Sequence, residues 1–120
     1  MRPIQKSFRV LTWCCVLLLA VLSLLPARDM IRTGFPGEFE HFVAYAGSAS
    51  IAVAGYGARV ARIVGVFSIY AGLLEYLQNF SPGRAPSIAD FAVSAFGALF
   101  GALAAAVIVR RLWKGAYSEV

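Results

Sequence analysis

The chain has 120 residues, of which 60% are hydrophobic and only 14% are charged, and its formal net charge is +5. A soluble domain of this size cannot hide so much apolar surface, because small domains bury a limited share of it, so the composition indicates an integral membrane protein. The basic residues stand in short groups between apolar runs, where they act as topology signals. Nucleic-acid binding is therefore not expected.

The first apolar segment is predicted to form a helix over residues 10–26. Arg2, Lys6 and Arg9 precede it, and Pro26 closes it. Its apolar run of about 16 residues crosses a membrane with help from interfacial flanks. A cleaved signal peptide is the alternative, but the residues around Pro26 do not form a convincing small-residue cleavage site. An uncleaved first helix is therefore expected.

The second segment, residues 40–57, is rich in Ala, Gly and Ser rather than Leu. A polar connection containing glycines and a proline precedes it, which is typical of a loop. Small residues let helices approach closely. We therefore expect this helix to pack among the others rather than to face lipid all round.

The third and fourth segments are predicted over residues 62–80 and 88–109. Two prolines and a glycine separate them, and these exclude a continuous helix. The fourth segment has about 22 residues, ample for spanning a membrane. Ser87 is placed as its N-cap, with Asp90 three residues later near the positive helix end. Residues 1–120 are thus predicted to form one all-α domain with four transmembrane helices.

The distribution of basic residues predicts the orientation. With four spans, eight basic residues fall on one side and three on the other. The first set is Arg2, Lys6, Arg9, Arg59, Arg62, Arg110, Arg111 and Lys114; the second is Arg28, Arg32 and Arg84. The positive-inside rule then puts both termini in the cytoplasm.

Three helices each carry a stripe of polar and small residues at helical spacing. The stripes are His41, Tyr45, Ser48 and Ala52; Ser68, Gly72, Glu75 and Asn79; and Asp90, Ser94, Gly97 and Gly101. Stripes of this kind belong at helix contacts, and the glycine-rich faces also allow oligomerisation.

The expected topology brings polar residues of three helices and one loop to the outer end. They are His41, Tyr45, Glu75, Gln78, Arg84, Asp90 and Ser94. Charges near hydrocarbon are costly, so they require partners. Glu75 lies about 18 Å up a core about 30 Å thick, so it is expected either to pair with Arg84 or His41 or to be partly neutral. We therefore predict one polar site at the outer boundary.

The residue types leave several chemistries open at that site. Arg84 suits a phosphate, and a structural salt bridge with Asp90 is an equal alternative. A metal site is not expected, because the chain has one histidine, no cysteine nearby, and carboxylates on separate helices. Ser87 and Ser94 have no evident base or oxyanion arrangement, so serine catalysis is not expected either. No cofactor is predicted.

The residues around the polar turn resemble the VanZ-like family of small membrane proteins. The matching residues are Glu75, Gln78, Phe80, Ser81, Pro82, Gly83, Arg84, Ser87, Asp90, Gly97 and Gly101, with His41, Phe42, Ala44, Tyr45 and residues 23–26 upstream. The resemblance covers about residues 22–101. Ser94 stands where the family usually has Asn, and Glu38 where it favours Lys, which bears on any shared chemistry that needs the amide or the lysine.

The resemblance implies a multi-pass protein of the bacterial cytoplasmic membrane, with a link to low-level resistance to the glycopeptide teicoplanin. Three functions are compatible with the residues. The first is a binding module for an anionic lipid or cell-wall precursor headgroup, using His41, Gln78 and Arg84. The second is a membrane enzyme with Glu75 or Asp90 and His41 as acid and base. The third is a structural or partner-binding bundle. The sequence favours the first.

Overall fold

The computed structural model describes residues 3–26, 28 and 34–112. These residues form helices and connections, with no strand in the described ranges. The helices are α1, Pro3–Leu24; α2, Gly37–Tyr56; α3, Val60–Leu77; and α4, Ile88–Leu112; a 3-10 turn at Gln78–Phe80 continues α3. The described part of the chain is all-α, as the composition predicts.

Three of the helices are long and apolar enough to cross a membrane. They are α1, α3 together with its 3-10 turn, and α4. Helix α2 is not among them, and its first turn carries Glu38 and Glu40. The three apolar helices indicate a membrane protein.

The helix bounds differ from the predicted ones mainly in α1. This helix begins at Pro3, seven residues before the predicted start, so Lys6 and Arg9 lie within it. Proline suits the first turn of a helix, where its missing N–H costs nothing, and Lys and Arg are good helix formers. A charged flank can therefore continue a helix that hydropathy alone would start later.

Successive helices run in alternating directions, as contacts between their ends show. Arg9 Nε near the start of α1 donates to the Gly55 carbonyl near the end of α2, at 2.9 Å. Gln78 Nε2 at the end of α3 donates to the Ser23 carbonyl near the end of α1, also at 2.9 Å. We call the end of the bundle that holds Gln78 the Glu75 end, and the opposite one the Arg59 end.

Helices α2 and α4 form the tightest contact in the bundle. Gly97 lies against the backbone of Phe42 and Gly101 against the backbone of Ala46, so closely that an added Cβ would overlap the facing carbonyl oxygen. Ser50 Oγ donates to the Ala46 carbonyl at 2.7 Å and lies 3.0 Å from the Gly101 carbonyl. Small residues on both helices permit this approach.

The predicted stripes of α2 and α4 are confirmed as helix contacts. Their buried members are Tyr45, Ser48 and Ala52 on α2, and Ser94, Gly97 and Gly101 on α4.

The stripe predicted for α3 is wrong in part. Its Gly72 does face Phe91 of α4, but Asn79 is exposed and donates back to the Tyr76 carbonyl. The buried face of α3 is apolar instead, formed by Ile63, Phe67, Ala71 and Leu74. Large apolar side chains compete better for the core than the few polar ones in this helix, since burying them removes more apolar area.

Candidate functional site

Three polar side chains from three helices meet at the Glu75 end. His41 comes from the first turns of α2, Glu75 from the last turn of α3, and Asp90 from the first turn of α4. One nitrogen or carboxylate oxygen from each lies within 4.8 Å of the others. Because successive helices alternate in direction, helix ends that are far apart in sequence share this end of the bundle. We call these three residues the polar triad.

The imidazole of His41 is held in one orientation. Its Nδ1 lies 2.8 Å from the Gly37 carbonyl, one turn earlier in α2. A carbonyl only accepts, so Nδ1 carries the proton in this contact. Nε2 is then directed at Glu75, with 3.9 Å between Nε2 and Oε1. That separation is too long for a hydrogen bond, so the pair interacts electrostatically when His41 is protonated.

Glu75 is tied to the start of α4 by its second oxygen. The backbone N–H of Ser87 donates to Glu75 Oε2 at 3.0 Å, and the Glu75 side chain is only 12% exposed. Ser87 Oγ in turn accepts from the Asp90 N–H at 3.0 Å. The predicted N-cap role of Ser87 is confirmed, and it places Asp90 beside Glu75.

Gln78, Ser81 and Arg84 form a second group, which binds the end of α1. Ser81 Oγ donates to the Leu24 carbonyl at 2.7 Å. Arg84 Nη2 donates to the Leu22 and Ser23 carbonyls at 2.8 and 2.6 Å, and its Nε lies 3.2 Å from the Ser23 carbonyl. Together with Gln78, these donors satisfy the carbonyls that a helix end leaves without internal partners.

The structure therefore divides the seven predicted site residues by their contacts. His41, Glu75 and Asp90 meet in the polar triad, whereas Gln78 and Arg84 contact the backbone of α1.

Tyr45 and Ser94 lie deeper in the bundle, below the triad. Tyr45 is buried with its ring edge-to-face on Phe67, at a centroid distance of 6.3 Å. Ser94 is buried and donates to the Asp90 carbonyl of its own helix at 2.8 Å. Both residues therefore pack beneath the triad and are not part of it.

The sequence contains a signal for the α1 contacts. Helix α1 has no basic residue in its last turn and ends in Leu24-Leu25-Pro26. Such an end offers its carbonyls no local cap, so donors from elsewhere in the chain are required. The donor-rich turn around Ser81 and Arg84 was the available source.

A shallow groove opens beside the triad, between α3 and α4. It has a volume of about 300 Å³ and is lined by Gly72, Glu75, Tyr76, Asn79, Pro86, Ser87, Ile88 and Phe91. Its lining is mostly apolar, and Glu75 is the only charged residue among the described residues that line it. Polar chemistry at one point of an apolar groove is an arrangement suited to an amphipathic molecule.

The triad also has a donor set that could hold a divalent metal ion. One imidazole nitrogen and two carboxylates are ordinary zinc ligands, and the Gly37 contact fixes the outward nitrogen of His41. In the sequence, the carboxylates lie on separate helices, which counted against a metal site. The fold brings those helices together, so that separation excludes nothing.

A comparison of this chain with protein-family models, curated proteins and solved structures finds no match. The function must therefore be argued from the site itself.

Proposed function

We propose that this chain is a VanZ-like multi-pass protein of the bacterial cytoplasmic membrane. Its proposed role is to bind, at the outer face, the headgroup of an anionic lipid or of a lipid-linked cell-envelope precursor. The observation that carries the proposal is the polar triad at the edge of the groove between α3 and α4. An amphipathic ligand matches both parts, with its apolar chain in the groove and its headgroup at the triad.

The contacts of Arg84 indicate that it does not bind the headgroup phosphate, although the sequence had suggested this role. Three of its donor contacts go to carbonyls of α1, so its role in this proposal is to position the site rather than to bind phosphate. Ionised carboxylates only accept hydrogen bonds. Glu75 and Asp90 therefore favour a headgroup rich in hydroxyl or amide donors. A cell-envelope precursor that carries sugars or a peptide offers such donors.

Lipid co-purification tests this role. The protein is purified from a bacterial host in mild detergent, and bound lipids are identified by mass spectrometry. We expect a precursor lipid with the wild type and its loss with the His41→Gln/Asp90→Asn variant, because that change removes the imidazole of α2 and the ionised acceptor of α4. Survival of cells on teicoplanin, with and without each protein, tests the link to resistance.

Glu38→Gln is the matched control. Glu38 lies in the first turn of α2 but is exposed and outside the triad. This variant should keep the precursor. Equal lipid recovery from all three proteins would contradict the proposed site.

The proposal includes four membrane crossings with both termini in the cytoplasm. The eight-to-three division of basic residues supports it, as does the packing of α2 against α4. A reporter fused after Val120 should be active only in the cytoplasm, and one inserted at Gly83 only outside. A signal outside from the fusion after Val120 would overturn the orientation.

A second candidate is acid–base catalysis on the bound lipid, favoured by the 3.9 Å approach of His41 Nε2 to Glu75 Oε1. Glu75→Gln separates it from binding, because the amide keeps the shape and an acceptor for the Ser87 N–H. If the triad only binds, teicoplanin survival should change only as far as precursor recovery does. If it catalyses, the precursor should still bind while survival and any lipid turnover fall to the level of cells without the protein.

A further inference from the structure

A second, larger groove lies at the Arg59 end, between α1 and α3 with α2 as its floor. Its volume is about 560 Å³, within the range of about 300–1,000 Å³ common for small-molecule sites. Apolar residues line its length: Val16 on α1, Ala52 on α2, and Ile63, Val66 and Phe67 on α3. None of these residues belongs to the polar triad or to the groove beside it.

The length of the groove matches one leaflet of a bilayer. Its α3 wall runs from Arg59 to Tyr70. Eleven residues at about 1.5 Å each give about 16 Å. Half of a hydrocarbon core about 30 Å thick is nearly the same depth. At its inner end, the Tyr70 hydroxyl donates to the Val16 carbonyl and joins α3 to α1.

The polar end of the groove is basic. Arg9, Arg59 and Arg62 all line it. Arg9 is engaged, since its Nε donates to the Gly55 carbonyl and its guanidinium lies 4.5 Å from the centre of the Tyr56 ring. Arg59 and Arg62 are exposed, and neither side chain makes an ion pair or side-chain hydrogen bond with the described residues.

We propose that this groove binds one anionic phospholipid, with an acyl chain between α1 and α3 and its phosphate at Arg59 and Arg62. The charge complementarity is direct, because guanidinium groups pair with phosphate oxygens at short range. Basic pockets between transmembrane helices are a known way of holding anionic headgroups. This site is separate from the proposed headgroup site, which lies at the other end of the bundle.

A second copy of the chain is a poorer occupant of the groove. A two-fold contact through this face would bring the same patch of each copy together. The Arg59 and Arg62 side chains of one copy would then approach those of the other, and like charges repel at a low-dielectric boundary. A lipid phosphate is negatively charged, so it would neutralise the two arginines rather than repel them.

Native mass spectrometry of the full chain in detergent tests the proposal. The probes are phosphatidylglycerol and phosphatidylcholine with the same acyl chains, each titrated onto the protein. We expect wild type to bind one phosphatidylglycerol more tightly than phosphatidylcholine. The Arg59→Gln/Arg62→Gln variant should lose at least about tenfold in affinity for phosphatidylglycerol and little for phosphatidylcholine.

Arg110→Gln/Arg111→Gln is the matched control. These two arginines lie at the same end of the bundle, are exposed on α4, and do not line the groove. Removing them takes away the same charge and should change the affinity by less than about threefold. An equal loss in both double variants would overturn the site, because the headgroup would then respond only to general charge. Equal wild-type affinity for the two lipids would overturn it as well.

A second pair of variants tests the groove without touching its charges. Val66 lines the groove, whereas Ile69 is exposed on the same helix and does not. Val66→Trp should fill the groove and lower the affinity for both lipids, and Ile69→Trp should leave both unchanged. Matching affinities in these two proteins would overturn the acyl-chain site. A wild-type dimer that Val66→Trp converts to a monomer would assign the groove to a second copy and refute the lipid.

Discussion

Two helix pairs of this bundle are built in opposite ways. Between α2 and α4 the backbones touch, with Gly97 and Gly101 against Phe42 and Ala46. Between α1 and α3 an apolar groove of about 560 Å³ remains. The difference follows from side-chain size. Helix α4 presents glycine and alanine to its partner, whereas α1 and α3 present Val, Thr, Phe and Tyr, whose bulk holds the helices apart.

Helix α1 lies closely against the α2 backbone at Gly55, and polar contacts near both of its ends hold it as well. At the Arg59 end, Arg9 contacts Gly55 and Trp13 Nε1 donates to the Tyr56 hydroxyl at 2.8 Å. At the Glu75 end, the donors of Gln78 and Arg84 bind its last carbonyls. The groove lies beside the half of α1 that runs from Arg9 to Val16.

Gly101→Leu should have the largest effect on stability, because it breaks the close-packed pair. A side chain at this position overlaps the backbone of Ala46, which cannot move without displacing α2. Overpacking of this kind costs about 3 kcal/mol, at the upper end of the usual range. The free energy of unfolding, measured by denaturant titration in detergent micelles, should fall by that amount.

Gly65→Leu is the control for that substitution. Gly65 is exposed on α3, and nothing lies within 4 Å of a Cβ added there. The same chemical change should therefore be neutral or slightly stabilising, since leucine has the better helix propensity. Equal losses at Gly65 and Gly101 would show that close approach is not what distinguishes the α2–α4 pair.

Arg84→Gln should have the next largest effect, because it loosens the end of α1. The substitution removes charge-assisted hydrogen bonds to the Leu22 and Ser23 carbonyls. We expect a loss of about 2 kcal/mol in the free energy of unfolding. Arg84→Lys should recover part of it, because an ammonium keeps the charge but lacks the planar fork.

The alternative reading of Arg84 as a phosphate ligand predicts a different result. Arg84→Gln would then leave stability unchanged and lower only the amount of bound lipid. Measuring unfolding and lipid recovery on the same preparation distinguishes the two roles.

Much of this architecture follows from local sequence patterns. The small-residue spacing of Gly97 and Gly101 predicted a helix contact, and Ser87 with Asp90 predicted a helix start; both are confirmed. Local patterns could not assign partners to Arg84, because its acceptors are backbone carbonyls about sixty positions away. The uncapped end of α1 indicates that its carbonyls need donors, but carbonyls carry no residue identity, so the sequence does not show which donor binds which carbonyl.

The polar triad could also be predicted only in part from the sequence. Alternating helix directions could be inferred from the basic residues, and they place His41, Glu75 and Asp90 at one end. The rotation of each helix about its axis could not be inferred, because it depends on packing along the whole length. Glu75 lies on α3, whereas Asn79 lies in the 3-10 turn that follows it, so the α-helical spacing that linked the two in the sequence does not continue to Asn79.

Ser50→Ala and Tyr70→Phe should have the smallest effects, and the pair sharpens the contrast between the two interfaces. Each removes one hydroxyl that contacts a carbonyl of a neighbouring helix: the Ser50 hydroxyl, shared between Ala46 and Gly101, in the tight pair, and the Tyr70 hydroxyl, which donates to Val16, across the groove. Both acceptors lie inside helices and keep their own backbone partners. Interhelical hydrogen bonds in membranes average about 0.6 kcal/mol, so the free energy of unfolding of both variants should fall by about that much in the same assay.

Similar small losses would mean that the two helix pairs differ in packing and not in hydrogen bonding. A much larger loss for Tyr70→Phe would mean instead that this single bond holds α3 to α1, and that the groove stays open through it.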